Sequence, residues 1–308
     1  MLPRRALLAL AASPVPLARA AAPDGLDVRA GVLVFRLTPP GGRGTPSLLF
    51  PSSHAPDPRL LRLSTESLLG GARRVLIETD AGPEGIPREW LTLPPGEFLD
   101  LPALLGPAGL RRLRTQLLCL DGAHPPVRDP LPGAARMRAF QLASLAMQPC
   151  PAPPQRQPAS PEAWLMGSAQ ALGIPVSALE TVEEAFGALL ALPDALWLAG
   201  LQAAILDPAR QAAIEQASQR AYEAGDLDVL RQLTAAAVTP SPEGQAMFDA
   251  EVIVARNARI APRLAERARA GKVVAVLGAA HLPGPDGVAE RLRSDGFGVE
   301  TVRFRGVG

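Results

Sequence analysis

The run Val273-Val274-Ala275-Val276-Leu277-Gly278 constrains the fold of this chain more than any other stretch. Three valines among five apolar residues, closed by a glycine, have the composition of a strand buried on both faces. Such a strand requires a sheet with helices packed on either side. The run continues into Ala279-Ala280-His281. A histidine placed where such a strand stops lies at the carboxyl edge of the sheet, where open α/β folds bind ligands. His281 is therefore the first candidate for chemistry. The chain has three histidines, and a second, His54, ends a similar phrase near the other end: Ser47-Leu48-Leu49-Phe50-Pro51-Ser52-Ser53-His54.

Around these two phrases the chain reads as one α/β domain. Val32 to Leu37 and Ser47 to Phe50 read as two strands with a turn from Pro39 to Pro46, a hairpin. A helical pattern runs from Pro58 to Leu69, and Arg74 to Asp80 reads as a buried strand with an acidic tip at Glu78 and Asp80. If the strands ending at Phe50 and Asp80 are parallel neighbours, His54 and Glu78 come side by side. The middle is mainly helical, with apolar spacing over Pro107 to Leu120, Ala134 to Gln148, Pro161 to Leu172, Val182 to Leu190 and Ala195 to Ala224. Within it, Pro149 to Pro161 is a proline-rich loop or linker, and Ile174 to Thr181 is short and β-like, with Glu180 near its end. A long helix is expected from Pro242 to about Ala270, then the opening strand, a helix from Gly287 to Asp295 and a last strand from Val299 to Phe304. The expected fold is thus α/β (α+β): a central, mostly parallel sheet built by the N- and C-terminal segments, with a large helical region at roughly 100–250.

The first twenty residues stand apart. Arg4 and Arg5 precede the apolar run Ala6 to Leu17, and Ala18-Arg19-Ala20 is the small-x-small pattern at which signal peptidase cleaves, so residues 1–20 read as a secretory signal and 21–308 as the mature domain. The run is too short to span a bilayer, and no other segment approaches ~20 uninterrupted apolar residues, so no membrane span is expected in the mature chain. Cleavage removes Arg4, Arg5 and Arg19 from 31 basic residues, leaving 28 against 30 acidic ones. That balance, with the two signs interspersed, argues against a nucleic-acid partner. In the periplasmic or secreted compartment that a signal implies, Cys119 and Cys150 are free to pair, and a buried free Cys119 is the alternative.

Several phrases together resemble the TraB/GumN (TIKI-like) family. They are PSSH at 51–54, VLIETD at 75–80, ALETVEEAF at 178–186, AYEAGDLDVLRQL at 221–233, VARNARIAPRL at 254–264 and VLGAAHLPGPDGV at 276–288. The resemblance spans nearly the whole mature chain, and it implies an erythromycin-esterase/ChaN-like α/β fold. It also implies metal-dependent hydrolysis, plausibly of a peptide or protein, with His54 and His281 as metal ligands. Glu78 and Glu180 would be site carboxylates, and Arg256 a residue that binds substrate or orients a carboxylate. Pro51 replaces the first glycine of the family's Gly-x-x-His pair, and Gly167 stands where relatives have an aspartate. The alternative reading is a catalytically degenerate binding protein of the cell envelope that keeps the fold.

Histidine with carboxylate suits a divalent ion such as manganese, cobalt or zinc, because neutral imidazole and ionised carboxylate are its usual ligands and the ion can acidify a bound water. Should both histidines and Glu78 or Glu180 converge, the carboxylate left over is a candidate general base. No local His-Glu-x-x-His or Gly-x-Ser-x-Gly phrase is present, so any such site is assembled from distant segments. His124, in a turn-like proline-rich stretch, is a weak candidate. Trp90, Trp164 and Trp197 read as packing.

Overall fold

The computed structural model describes residues 31–42, 44–79, 86–121, 129–150 and 159–304. The expected signal at residues 1–20, Asp80 and His124 lie outside the described residues. Six strands form one sheet: β1 (Val32–Thr38), β2 (Ser47–Ser52), β3 (Arg74–Thr79), β4 (Val176–Glu180), β5 (Val273–Gly278) and β6 (Gly298–Phe304). Their spatial order is β4-β3-β5-β2-β1-β6. The β1/β2 hairpin and the β1/β6 pair are antiparallel, while β2/β5, β5/β3 and β3/β4 are parallel. The mixed α/β fold and the mostly parallel sheet are as expected from sequence.

All six residues of β5 are buried, and the position of this strand corrects one expectation. β2 and β3 are not neighbours; β5 lies between them. A run with no polar residue must be covered by strands at both edges and by helices on both faces, which only an interior position supplies. The correction strengthens the site, because the ends of β2, β5 and β3 now lie in a row and carry His54, His281 and Glu78. The short β-like stretch expected at Ile174 to Thr181 is β4, which leaves the helical middle region to join the sheet beside β3.

Alternation along the strands sorts side chains onto two faces. Leu33, Phe35, Leu37, Leu49, Leu76, Ala275 and Leu277 pack with Tyr222, Ile260, Leu264 and Leu292 on one face. Val34, Phe50, Val75, Ile77, Val274 and Val276 pack with Leu60, Leu69, Trp164 and Leu165 on the other. A third core holds the helical region together, from Leu105 and Leu113 through Phe140, Trp197 and Leu201 to Phe248. Trp164 packs on Phe50 at 6.4 Å, and Trp197 meets Phe140 at 6.2 Å and Phe248 at 6.4 Å, so these rings fill cores. Gly200 permits the tightest helix contact there: a Cβ at this position would lie 2.0 Å from the Val238 carbonyl oxygen.

Several long helical patterns are broken by local chemistry. The expected helix Ala195 to Ala224 is two helices, Asp194–Leu206 and Pro208–Ala224, because Asp207 caps the second and Pro208 opens it. A helix over Leu227–Val238 goes beyond the sequence reading. The expected Pro242 to Ala270 helix is α-helical over Pro242–Phe248 and Ala255–Ala268, with a π-helical turn, Asp249–Val254, between. Such turns insert a residue into the α repeat and are found at functional sites. Arg256 and Asn257 follow it after Ala255.

Cys119 and Cys150 are joined, with Cα atoms 5.7 Å apart. Among the described residues no single helix is long and apolar enough to cross a membrane. The bent pair Val182–Leu190 and Asp194–Leu206 has the length and composition together, but Trp197, Leu201, Ala204 and Ile205 of that pair are buried in the helical core.

Candidate functional site

The site begins with the bare Cα of Gly278, the last residue of β5. A Cβ built there would lie 3.0 Å from Nε2 of His54, 3.1 Å from Oε2 of Glu78 and 3.3 Å from Cδ2 of His281. Three side chains from the ends of three adjacent strands therefore face one small space, which any residue larger than glycine would fill. Fold topology brings the two imidazoles together from opposite ends of the sequence.

His281 is held from behind. It lies in a short 3-10 turn, Ala279–His281, and is 3% exposed. Its Nδ1 is 2.7 Å from Oδ1 of Asn257. The Asn257 amide nitrogen donates to the carbonyls of His281 at 3.1 Å and Asp286 at 3.0 Å. Those two acceptors fix which end of the amide is oxygen, so Oδ1 must accept and Nδ1 of His281 must carry the proton. Nε2 then has its lone pair free on the cleft side, 3.8 Å from Oε1 of Glu78. Burial, aided by nearby Arg256 and opposed by Glu78, pushes this imidazole down to about 4, so it is neutral at physiological pH.

Glu78 is anchored by two donors. The Gly278 N–H donates to Oε2 at 2.7 Å, and Nη2 of Arg256 donates to Oε1 at 2.6 Å. Burial alone would raise this carboxyl, but Arg256, the two histidines and the Gly278 N–H hold it well below the usual carboxylate range. Arg256 is in turn fixed by Glu180, whose Oε2 accepts from its Nε at 2.9 Å and Nη2 at 2.7 Å. Oε1 of Glu180 takes Nη2 of Arg259 at 3.3 Å. Glu180 has no exposed side-chain surface and reaches the cleft through Arg256. Its place in the cluster is behind the guanidinium.

His54 is held differently. It stands in a loop after β2 at φ 58, a left-handed conformation that costs a non-glycine residue about 1–2 kcal/mol. Its backbone N–H donates to Oγ of Ser52 at 2.9 Å, which closes a local turn. Pro51 lies inside β2, opposite Leu277 of β5, so the positive φ of this loop falls on the histidine and not on the residue that departs from the Gly-x-x-His pattern. Nδ1 of His54 is 2.9 Å from Oε1 of Glu162, and the His54 side chain is 45% exposed. Packing alone would disfavour the imidazolium, but the charge and hydrogen bonding of Glu162, with Glu78 beyond, lift His54 to about 9. Glu162 is correspondingly lowered against its burial, by His54 and by the Ser52 hydroxyl.

Glu162 and Asn257 are the two site residues missed by the sequence reading. Glu162 sits one residue past Pro161 at the start of the helix Pro161–Ala171, where an acid has an ordinary explanation in the helix dipole. Asn257 lies within a phrase that carries the family resemblance, but only its tertiary partners give it a role. Gly167 is exposed on the same helix as Glu162, with open space where a side chain would stand, so its departure from the family pattern leaves the cleft untouched.

The donor set suits a divalent ion in chemistry. Nε2 of His54 and the Cδ2–Nε2 edge of His281 border one space while their Nδ1 atoms are held by a carboxylate and an amide, the outer-shell arrangement that ligating histidines use. As the side chains stand, however, no three His, Cys, Asp or Glu among the described residues are set to hold one ion. Both oxygens of Glu78 already have donors, so the two histidines are the firmer part of the expected ligand set. A search of curated proteins finds no match to the chain. The model of the TraB/PrgY/gumN family matches residues 40–301, which include every residue of this cluster, and the chain belongs to that family.

Proposed function

We propose that the cleft over Gly278 is a hydrolytic site that uses a divalent ion, manganese, cobalt or zinc, in an exported protein whose substrate is a peptide or protein. The observation that supports this reading is that Nε2 of His54 and the Cδ2–Nε2 edge of His281 border one space beside Glu78, with Nδ1 held from behind by Glu162 and Asn257. Nε2 of His281, and Nε2 of His54 once the ion has displaced its proton, would hold the ion, with Glu78 beside them. A bound ion would supply a water acidified enough to act as a nucleophile near neutral pH. The chain's own residues do the rest. Asn257 keeps the Nε2 lone pair of His281 on the cleft side, Arg256 keeps Glu78 ionised as an acceptor for water, and Glu180 keeps Arg256 in place. Gly278 leaves the room in which water and substrate meet.

One observation favours a second reading without an ion. Glu78 is occupied by Arg256 and Gly278, while His54 is raised and His281 lowered, which gives an acid and a base in one cleft. The experiment that separates the readings uses protein purified without a histidine tag and stripped with chelator. Its melting temperature is followed against Mn²⁺, Co²⁺ and Zn²⁺, and a peptide library is assayed for cleavage with and without each ion. Ion-dependent stabilisation and cleavage, both lost in His281→Ala, support the metal reading. Full cleavage by stripped protein supports the acid and base. Neither binding nor cleavage leaves an envelope binding protein.

A further inference from the structure

The loop that carries His54 has an anchor outside the cleft. It leaves β2 at Pro51 and Ser52 and ends at Asp57, and both of its ends converge on one side chain from the helical region. The hydroxyl of Tyr222, which is 3% exposed and lies near the end of the helix Pro208–Ala224, is 3.2 Å from the carbonyl oxygen of Pro51 and 3.4 Å from Oδ2 of Asp57. Asp57 is itself held square to this contact. Its carboxylate takes Nε and Nη2 of Arg59 at 2.9 and 2.8 Å, the Arg59 guanidinium sits over the Tyr222 ring at 5.1 Å, and both charged residues are buried.

We infer that Tyr222 is a positioning residue for His54: one buried phenol closes both ends of the Ser52–Asp57 loop and so holds the imidazole over Gly278 in its left-handed conformation. The ring alone does not explain the residue. A phenylalanine would fill the same apolar site among Leu33, Leu227 and Leu230, whereas the hydroxyl shares its single proton between the Pro51 carbonyl and the Asp57 carboxylate, six positions apart on the chain. The His54 N–H bonds only within the loop, to Ser52, and its imidazole is otherwise held at Nδ1 by Glu162, so a displaced loop end pulls against that one contact. The purpose of this positioning rests on the hydrolytic reading; its test does not.

Hydrogen exchange read by mass spectrometry on the full chain, without metal or substrate, tests the inference. In Tyr222→Phe the amides of Ser52, Ser53, His54, Ala55 and Asp57 are expected to exchange at least about fivefold faster, with exchange in β5 unchanged. Asp57→Asn, which leaves the Pro51 acceptor in place, is expected to give a smaller rise at the same amides. Unchanged loop exchange in Tyr222→Phe, or a rise spread evenly over the sheet, overturns the inference. Should that variant not fold, loop exchange in Asp57→Asn equal to that of the unmodified chain overturns it instead. Failure of the unmodified protein to bind metal or cleave peptides would overturn the hydrolytic reading and leave these exchange rates standing.

Discussion

His281 follows a fully buried strand, has a side chain 4% exposed and is tied through Nδ1 to a buried amide. His54 stands in a loop with a side chain 45% exposed and is tied through Nδ1 to a carboxylate. Similar wording in the sequence, a strand, small residues and a histidine, thus produces two imidazoles of opposite character facing one space. Surroundings decide. Burial, aided by Arg256, leaves His281 neutral while Oδ1 of Asn257 fixes its tautomer, whereas Glu162 favours the proton on His54. The buried side of the cleft is built as part of the core, and the exposed side is laid over it and held by polar contacts.

The largest effect expected from that contrast is on stability. Arg256→Ala leaves Glu78 and the fully buried Glu180 without their main counter-charge, and an uncompensated buried charge costs about 3–5 kcal/mol. His54→Ala removes a half-exposed side chain that touches no core, and water can reach the Glu162 it leaves, so its loss should be the smaller one, about 1 kcal/mol. Urea unfolding of the two variants measures both. Equal losses would mean that the two sides are built alike.

Asn257→Ala is expected next. It removes the acceptor for His281 and strips the carbonyls of His281 and Asp286 of their donor, which costs about 1–3 kcal/mol for the unsatisfied groups. If the cleft holds an ion as proposed, loss of this outer-shell partner should also lower metal affinity or activity by about 10–100-fold. Isothermal titration with metal and the peptide assay read the second effect. An affinity that holds while stability falls would make Asn257 a structural residue alone.

This contrast explains what the sequence could and could not disclose. His281 and β5 were legible because a five-residue apolar run admits few environments, and the acidic end of β3 because Glu78 closes a similar run. The neighbour of β2 was not legible, since parallel strands are paired by tertiary packing and leave no mark in either strand. Glu162 was hidden by a local explanation that is also true: acids are common in the first turn of a helix. The π-turn before Arg256 was hidden because its residues keep helical composition, and only the backbone register shows the inserted residue. Cys119 and Cys150 left their pairing open until the fold set their Cα atoms within bonding range.

The histidines should also bend the stability curve in opposite directions. His54 is raised to about 9 from 6.5, so its stabilisation is fully present below 6.5 and is lost as pH rises through about 9. His281 is lowered to about 4, so the unfolded chain takes up a proton that the folded one refuses. Stability is therefore full above 6.5 and falls as pH drops toward 4. Solvent screening around the half-exposed His54 makes the alkaline limb the shallower of the two. Melting temperatures of His54→Gln and His281→Gln between pH 4 and 9 separate them: the first should flatten only the alkaline side and the second only the acid side.

The smallest effect comes from a pair outside the cleft and is needed to read the acid side cleanly. Glu184 caps the helix Val182–Leu190 in a reciprocal box with Thr181 and takes both Nη atoms of Arg263 at 2.6 and 2.7 Å. The Arg263 hydrogen bonds, with the Thr181 N–H, lower it to about 2 from 4.5. A lowered carboxylate contributes stability that is complete above about 4.5 and is lost as pH falls through about 2, a window just below that of His281. Because both partners are partly exposed, the pair is worth no more than about 1 kcal/mol. In Glu184→Gln the loss of stability between pH 6.5 and 4.5 should therefore match that of the unmodified chain, with a difference appearing only below. A change in the upper window would assign part of the His281 limb to this surface pair and weaken the contrast between the two histidines.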